Sequence, residues 1–156
     1  FVEDSSEHLF LSSKFAIPLQ GSLLYNDSKL HSLGVIKYEY RVDDHNLDAV
    51  SFVSFVNKVW KGDYDITRTE QALSKTLNIA AYDDNVLVGC LRILTDGIFG
   101  TITELLVLPE YQKHGIGSKL LQLAKEHTPT MLYFGSQPGI EAFYEKNGCQ
   151  RSLQSY

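Results

Sequence analysis

Apolar and polar positions change period several times along the chain, and each change marks an element. "VIKYEYRV", residues 35–42, alternates and is rich in β-formers, which predicts a strand. Beyond it Phe52, Phe55, Val56 and Val59 recur at helical spacing, so a helix is predicted to run to about Trp60, capped from Asp43, Asp44 or Asn46. "KGDYDITR" interrupts as a loop, and "TEQALSK" reads as a short second helix. The stretch "LNIAAYDDNVLVGCLRILTDGIFGTITELLVL" then reads as three strands of an antiparallel meander, divided by turn residues at Asp83-Asp84-Asn85 and Asp96-Gly97.

Pro109 lacks a ladder donor and keeps Leu108 extended, so the third of these strands ends there. From Gly117 onward Leu120, Leu123, Ala124 and His127 mark one helix face, which Pro129 stops. "TMLYFG" is a short buried strand; Pro138 in a first turn and Asn147-Gly148 at the far end frame another helix, and "CQRSLQSY" supplies a last strand. Residues 1–34 show no clean period and read as an irregular N-terminal arm ahead of a domain at 35–156. The result is a mixed α/β sheet with helices packed on it. The strand before Gly115 and the strand after Pro129 are joined by a helical crossover and should run parallel, with the helix N-terminus at the carboxyl edge of the sheet, where ligands bind.

Composition narrows the partners. A net charge of -5 and a pI near 5.5 argue against nucleic acid, which needs clustered Lys and Arg to displace counterions. Hydrophobic residues make up 44% of the 156, ordinary for one globular domain, and the start "FVEDSSEHLF" predicts neither signal peptide nor membrane span. Only Cys90 and Cys149 are present, both in strand-like surroundings, so they are expected to be buried apolar filler in a reducing, cytoplasmic setting.

The candidate chemistry sits in "VLPEYQKHGIGSKLL", Val107 to Leu121. A helix N-terminus leaves amides unpaired and carries roughly half a positive charge, so it can hold a phosphate. Gly115 and Gly117 let those amides approach an anion, and Lys113 and Lys119 add charge, although two glycines also make a plain strand-to-helix turn. The order Gly117-Ser118-Lys119 excludes a P-loop, and Leu120 stands where a dinucleotide fingerprint needs its third glycine.

Gln112-Lys113-His114-Gly115-Ile116-Gly117 resembles the Gln/Arg-x-x-Gly-x-Gly/Ala signature of the GNAT superfamily of acetyl-CoA-dependent N-acetyltransferases. "AFYEKNGC", Ala142 to Cys149, is similar to the family's Phe-Tyr-x-x-x-Gly-Phe segment, and the element order from about residue 35 also fits. The resemblance implies a mixed, mostly antiparallel sheet with helices on both faces and a parallel strand pair at the cofactor cleft. It implies that the amides of Gln112, Lys113, His114, Gly115, Ile116, Gly117 and Ser118 hold the CoA pyrophosphate. The backbone of Leu105, Leu106 and Val107 would pair with pantetheine, and an amide there would stabilise the thioester oxyanion. Tyr144 matches the tyrosine that protonates the departing thiolate, against its reading as a packed aromatic on the inner helix face. Gln137 stands where many members carry Asn, and Cys149 where Phe is common.

Glu104 is singled out by its residue type. In strict alternation it shares a face with Ile102, Leu106 and Leu108, so either a bulge turns it outward or it lines a cleft, as the base for the amine or as a structural or amine-binding group. His114 is expected to face solvent, and Trp60, Tyr64 and Arg68 either wall the acceptor site or cover the core edge. The implied activity is direct acetyl transfer from acetyl-CoA to a small-molecule or peptide primary amine, without metal, and a homodimer is left open. The competing readings are a non-catalytic acyl-CoA-binding module and an interaction domain using the N-terminal arm.

Overall fold

The computed structural model describes residues 8–11, 23–25 and 38–152. Its elements are β1 (His8–Leu11), β2 (Leu23–Tyr25), β3 (Glu39–Val42), α1 (Ala49–Val59), α2 (Ile66–Leu73), β4 (Leu77–Asp83), β5 (Val86–Thr95), β6 (Phe99–Val107), α3 (Ile116–His127), β7 (Met131–Gly135), α4 (Glu141–Lys146) and β8 (Gln150–Arg151). The strands form one sheet in the order β2-β3-β4-β5-β6-β7-β1-β8. Every neighbouring pair is antiparallel except β6 and β7, which are parallel as the crossover through α3 requires.

The meander β4-β5-β6 forms where alternation meets turn chemistry. Asp84 and Asn85 both take positive φ, 44° and 67°, the pairing that a two-residue hairpin turn demands. Asp96 caps the next turn, its carboxylate accepting from the amides of Ile98 and Phe99 at 2.8 and 2.9 Å. Ile79, Val88, Leu91 and Ile93 are fully buried at the sheet centre. Helix α1 covers one face, setting the Phe52 ring 5.3 Å from the Arg92 guanidinium carbon. Helix α3 covers the other, where Gly89 faces Ile116 and Leu120.

That second contact leaves no room. A Cβ on Gly89 would stand 2.8 Å from Ile116 Cγ2 and 3.3 Å from Leu120 Cδ1, both in the buried core. Gly89→Ala is therefore expected to destabilise the fold by about 1–3 kcal/mol, read by urea denaturation; a loss below about 0.5 kcal/mol would show that α3 shifts freely.

Several local expectations are corrected. β1 and β2 lie within the arm read as irregular; strands of four and three residues show no period of their own and exist through long-range pairing. The rest of that arm, residues 35–37 of the first expected strand and 153–156 of the last lie outside the described residues. Helix α1 is capped by Asp48, which accepts from Ser51 N, rather than by Asp43, Asp44 or Asn46. Asp44 is instead buried, accepting from the Tyr82 hydroxyl at 2.7 Å and tying the loop to β4. Helix α4 starts at Glu141, and Pro138 belongs to the turn before it, where the Glu141 carboxylate takes the Gly139 amide. Cys90 and Cys149 are free and buried, and burial raises the Cys149 thiol to about 11. Among the described residues no helix is long and apolar enough to cross a membrane.

Candidate active site

The parallel pair is short. β6 and β7 match only from Phe99–Met131 to Thr101–Tyr133, yet β6 continues to Val107 and β7 to Gly135. Past Thr101 the strands splay and open a cleft of about 280 Å³ at the carboxyl edge. Glu104, Leu105, Leu106 and Val107 line it from β6, Phe134 and Gly135 from β7. Val59 and Trp60 close it from the end of α1, Ile140 and Tyr144 from α4.

The turn from β6 into α3 adjoins this cleft. Pro109–Tyr111 makes one 3-10 turn, Lys113 and Gly115 take φ of 64° and 85°, and Gly115 caps α3 in the left-handed region. For Lys113, which has a Cβ, that conformation costs roughly 1 kcal/mol. Left-handed residues alternating with ordinary ones turn successive amides to one side, the geometry of an anion nest. Among the described residues the amides of Lys113, His114, Gly115, Ile116, Gly117 and Ser118 meet no acceptor; the first intrahelical bond of α3 is Lys119 N to Gly115 O, at 3.0 Å. Gly117 also lets α3 approach α4 closely, because a Cβ there would lie 3.1 Å from the Phe143 ring.

Gln112 departs from the expectation for this turn. Its amide is taken by Pro109 O at 3.3 Å, and its side chain donates to the Val107 carbonyl at 3.2 Å. The cradle therefore starts at Lys113, and the carbonyl of Val107 is already bonded by a surface glutamine. His114 is exposed as expected, with Nδ1 at 3.3 Å from the Tyr38 hydroxyl. Gln137 lines the cleft, its carbonyl accepting from Ile140 N at 3.4 Å.

At Glu104 a bulge is present, yet it leaves the side chain in the cleft rather than turning it outward. The register jumps from Arg92↔Glu104 to Ile93↔Ile102, so Thr103 is an inserted residue and strict alternation fails. Glu104 thus shares a face with Arg92 and Leu106, and Ile102 points to the opposite one. Its carboxylate lines the cleft and is engaged on both oxygens: Oε1 accepts from Arg92 Nη1 at 3.0 Å and Oε2 from the Thr103 hydroxyl. Arg92 is buried, with Nε 3.3 Å from Thr76 Oγ1. Arg92 escaped the sequence reading, although an arginine inside the apolar run "VGCLRIL" was the available signal.

Tyr144 is buried, its ring 4.7 Å from Phe134 and 5.0 Å from Phe143. Burial first, then the nearby Cys149, hold its phenol above the usual range, so it stays protonated and able to donate. Trp60 stands at the rim and Tyr64 braces it, hydroxyl to Trp60 O at 3.2 Å, whereas Arg68 lies in α2 away from the cleft lining.

A splayed parallel pair lies beside an anion nest, with a protonated phenol in the gap, an arrangement suited to acyl transfer. Comparison with known proteins agrees. The profile of the acetyltransferase (GNAT) domain matches residues 75–150, which run from the start of β4 through the nest and α4. Residues 75–150 thus match a family whose members use acetyl-CoA. A GNAT-family acetyltransferase from Streptococcus pneumoniae TIGR4 is 25% identical, with a TM-score of 0.59 over 72% of this chain and 86% of that one. An acetyltransferase from Deinococcus radiodurans R1 is 18% identical, with a TM-score of 0.64 over 76% and 86% of the two chains. AAC(6')-Iy, solved with the bisubstrate analogue CoA-S-monomethyl-acetylneamine, is 13% identical, with a TM-score of 0.61 over 77% and 95%. No curated protein sequence matches the chain.

Proposed function

We propose that the chain transfers the acetyl group of acetyl-CoA directly to a primary amine. The observation that carries this reading is the run of unpaired amides from Lys113 to Ser118, opening beside the cleft that Tyr144 lines. In the proposed complex those amides and the N-terminal end of α3 hold the pyrophosphate. Leu105, Leu106 and the Val107 amide run along pantetheine, once Gln112 and the Val107 carbonyl have adjusted, and an amide of this strand receives the thioester oxyanion. Gln137 offers its side-chain amide from the opposite wall.

The amine nitrogen, as free base, attacks the thioester carbonyl. The C–S bond breaks, the departing thiolate takes the Tyr144 proton, and the phenol regains a proton, through solvent, from the nitrogen that has become cationic. The products are an N-acetyl amide and CoA thiol. Glu104, compensated by Arg92, serves in this scheme as a polar anchor of the cleft wall rather than as the base. The acceptor is a small molecule or a peptide, and the free, buried cysteines suit a reducing, cytoplasmic compartment.

Saturating CoA is expected to raise the melting temperature by several degrees, as ligation of the native state alone requires. Thiol should then appear when acetyl-CoA meets an amine panel. Absence of both effects overturns the proposal; stabilisation without thiol release, across the panel, would leave a non-catalytic acyl-CoA-binding module.

A further inference from the structure

Resting on the proposed acetyl transfer, the geometry points to Tyr64 as a positioning residue: it fixes Trp60, the chain's one tryptophan, as the wall that meets the incoming acceptor. The cleft passes through the sheet between the splayed strands. On one side lie α3, with its unpaired amides, and α4, whose Phe143 faces Gly117 of α3; on the other lies α1, which ends at Val59 and leads into Trp60. Acetyl-CoA held by those amides occupies the α3 side. The acceptor is left the mouth beside Trp60 and Glu104, the latter on the sheet face that α1 covers.

Every residue of the loop "WKGDYD", Trp60 to Asp65, is exposed, and a segment without buried anchors is ordinarily the mobile part of a fold. Here it is fastened along its length. Trp60 N donates to Val56 O at 2.7 Å, Gly62 N to Asn57 Oδ1 at 3.0 Å, and the Tyr64 hydroxyl to Trp60 O at 3.2 Å. Asp65 then accepts from Arg68 N at 2.7 Å and caps α2. The tip of the Tyr64 ring lies over Gly62, where a Cβ would stand 2.8 Å from Cε2 and 2.9 Å from Cζ. Tyr64 thus clasps both the Trp60 carbonyl and the glycine two residues on. Had the indole to be immobilised by the acceptor itself, affinity would fall about threefold to tenfold. Because Trp60 stands at the mouth and not at the reacting atoms, that loss falls on KM and leaves kcat alone.

Two variants open the clasp in different ways. Tyr64→Ala removes hydroxyl and ring together. Gly62→Ala removes no atom of the clasp but displaces the ring tip, the free end of an exposed side chain, and the backbone at Gly62 does not take positive φ, so the fold tolerates the change. The whole chain is assayed for CoA thiol with acetyl-CoA and phenethylamine, spermidine, kanamycin or trialanine, and the fluorescence anisotropy of Trp60 is read on the same samples. Both variants should lower the anisotropy. Both should raise the KM of the amine turned over best about threefold to tenfold, with kcat and the KM for acetyl-CoA within about twofold of wild type. Trp60→Leu should raise the amine KM likewise, and adding Gly62→Ala to it should cost nothing further, since the clasp acts through the indole. Unchanged anisotropy or amine KM in both variants, a loss confined to the melting temperature, or additive losses in the double variant would each overturn the inference. Absence of thiol release from every amine would instead overturn the acetyl-transfer reading beneath it, and the anisotropy would still decide whether Tyr64 fixes Trp60.

Discussion

Replacing Tyr144 with Phe is expected to lower kcat about 100-fold, the low end for loss of a positioned general acid, with little change in the KM for acetyl-CoA. The substitution keeps the ring that packs 4.7 Å from Phe134 and 5.0 Å from Phe143, and the described residues offer the hydroxyl no hydrogen-bond partner. Stability should therefore change by less than about 1 kcal/mol, and CoA should still raise the melting temperature. Because burial holds the wild-type phenol above its usual value, it remains protonated from about pH 6 to about pH 9, and the wild-type kcat profile should show no descending limb there. A variant within threefold of wild type in thiol release would remove the acid role and leave Tyr144 as packing alone.

How far the sequence reveals this site depends on whether a feature is local. The hairpin at Asp84-Asn85, the strand stop before Pro109 and the helix after Gly115 are each written in adjacent residues, and each is found where the pattern puts it. The nest is legible for the same reason, since consecutive backbone conformations set its direction. Glu104 is different: one inserted residue, Thr103, reverses the side-chain parity of the strand, and alternation cannot register an insertion before the partner strand is known. Asp44 misleads likewise, because its partner is Tyr82, 38 positions away, and not the nearby helix it is suited to cap. β1 pairs with Gly135 and β2 with Val42, contacts that a three- or four-residue segment cannot announce alone. The family likeness names the parts of the cleft, but only the pairing register shows that Arg92 stands behind Glu104.

Arg92→Ala should be the most destabilising substitution at this wall, by about 3 kcal/mol, which for a chain of this size lowers the melting temperature by about 10 °C. The guanidinium is buried and bonds in two directions, to Glu104 at 3.0 Å and to Thr76 at 3.3 Å, while its plane rests near the Phe52 ring. Truncation removes this packing and leaves the Glu104 carboxylate, only 25% exposed, without a cation. The sign of the coupling separates charge from volume. If the unpaired carboxylate dominates, Arg92→Ala with Glu104→Gln should recover at least about 1 kcal/mol relative to Arg92→Ala alone, since a neutral amide tolerates the site. If lost packing dominates, the double variant will be no more stable than the single one. Urea denaturation of the wild type, both singles and the double closes the cycle, and a loss below about 1 kcal/mol for Arg92→Ala would mean that neither the pair nor its packing stabilises this wall.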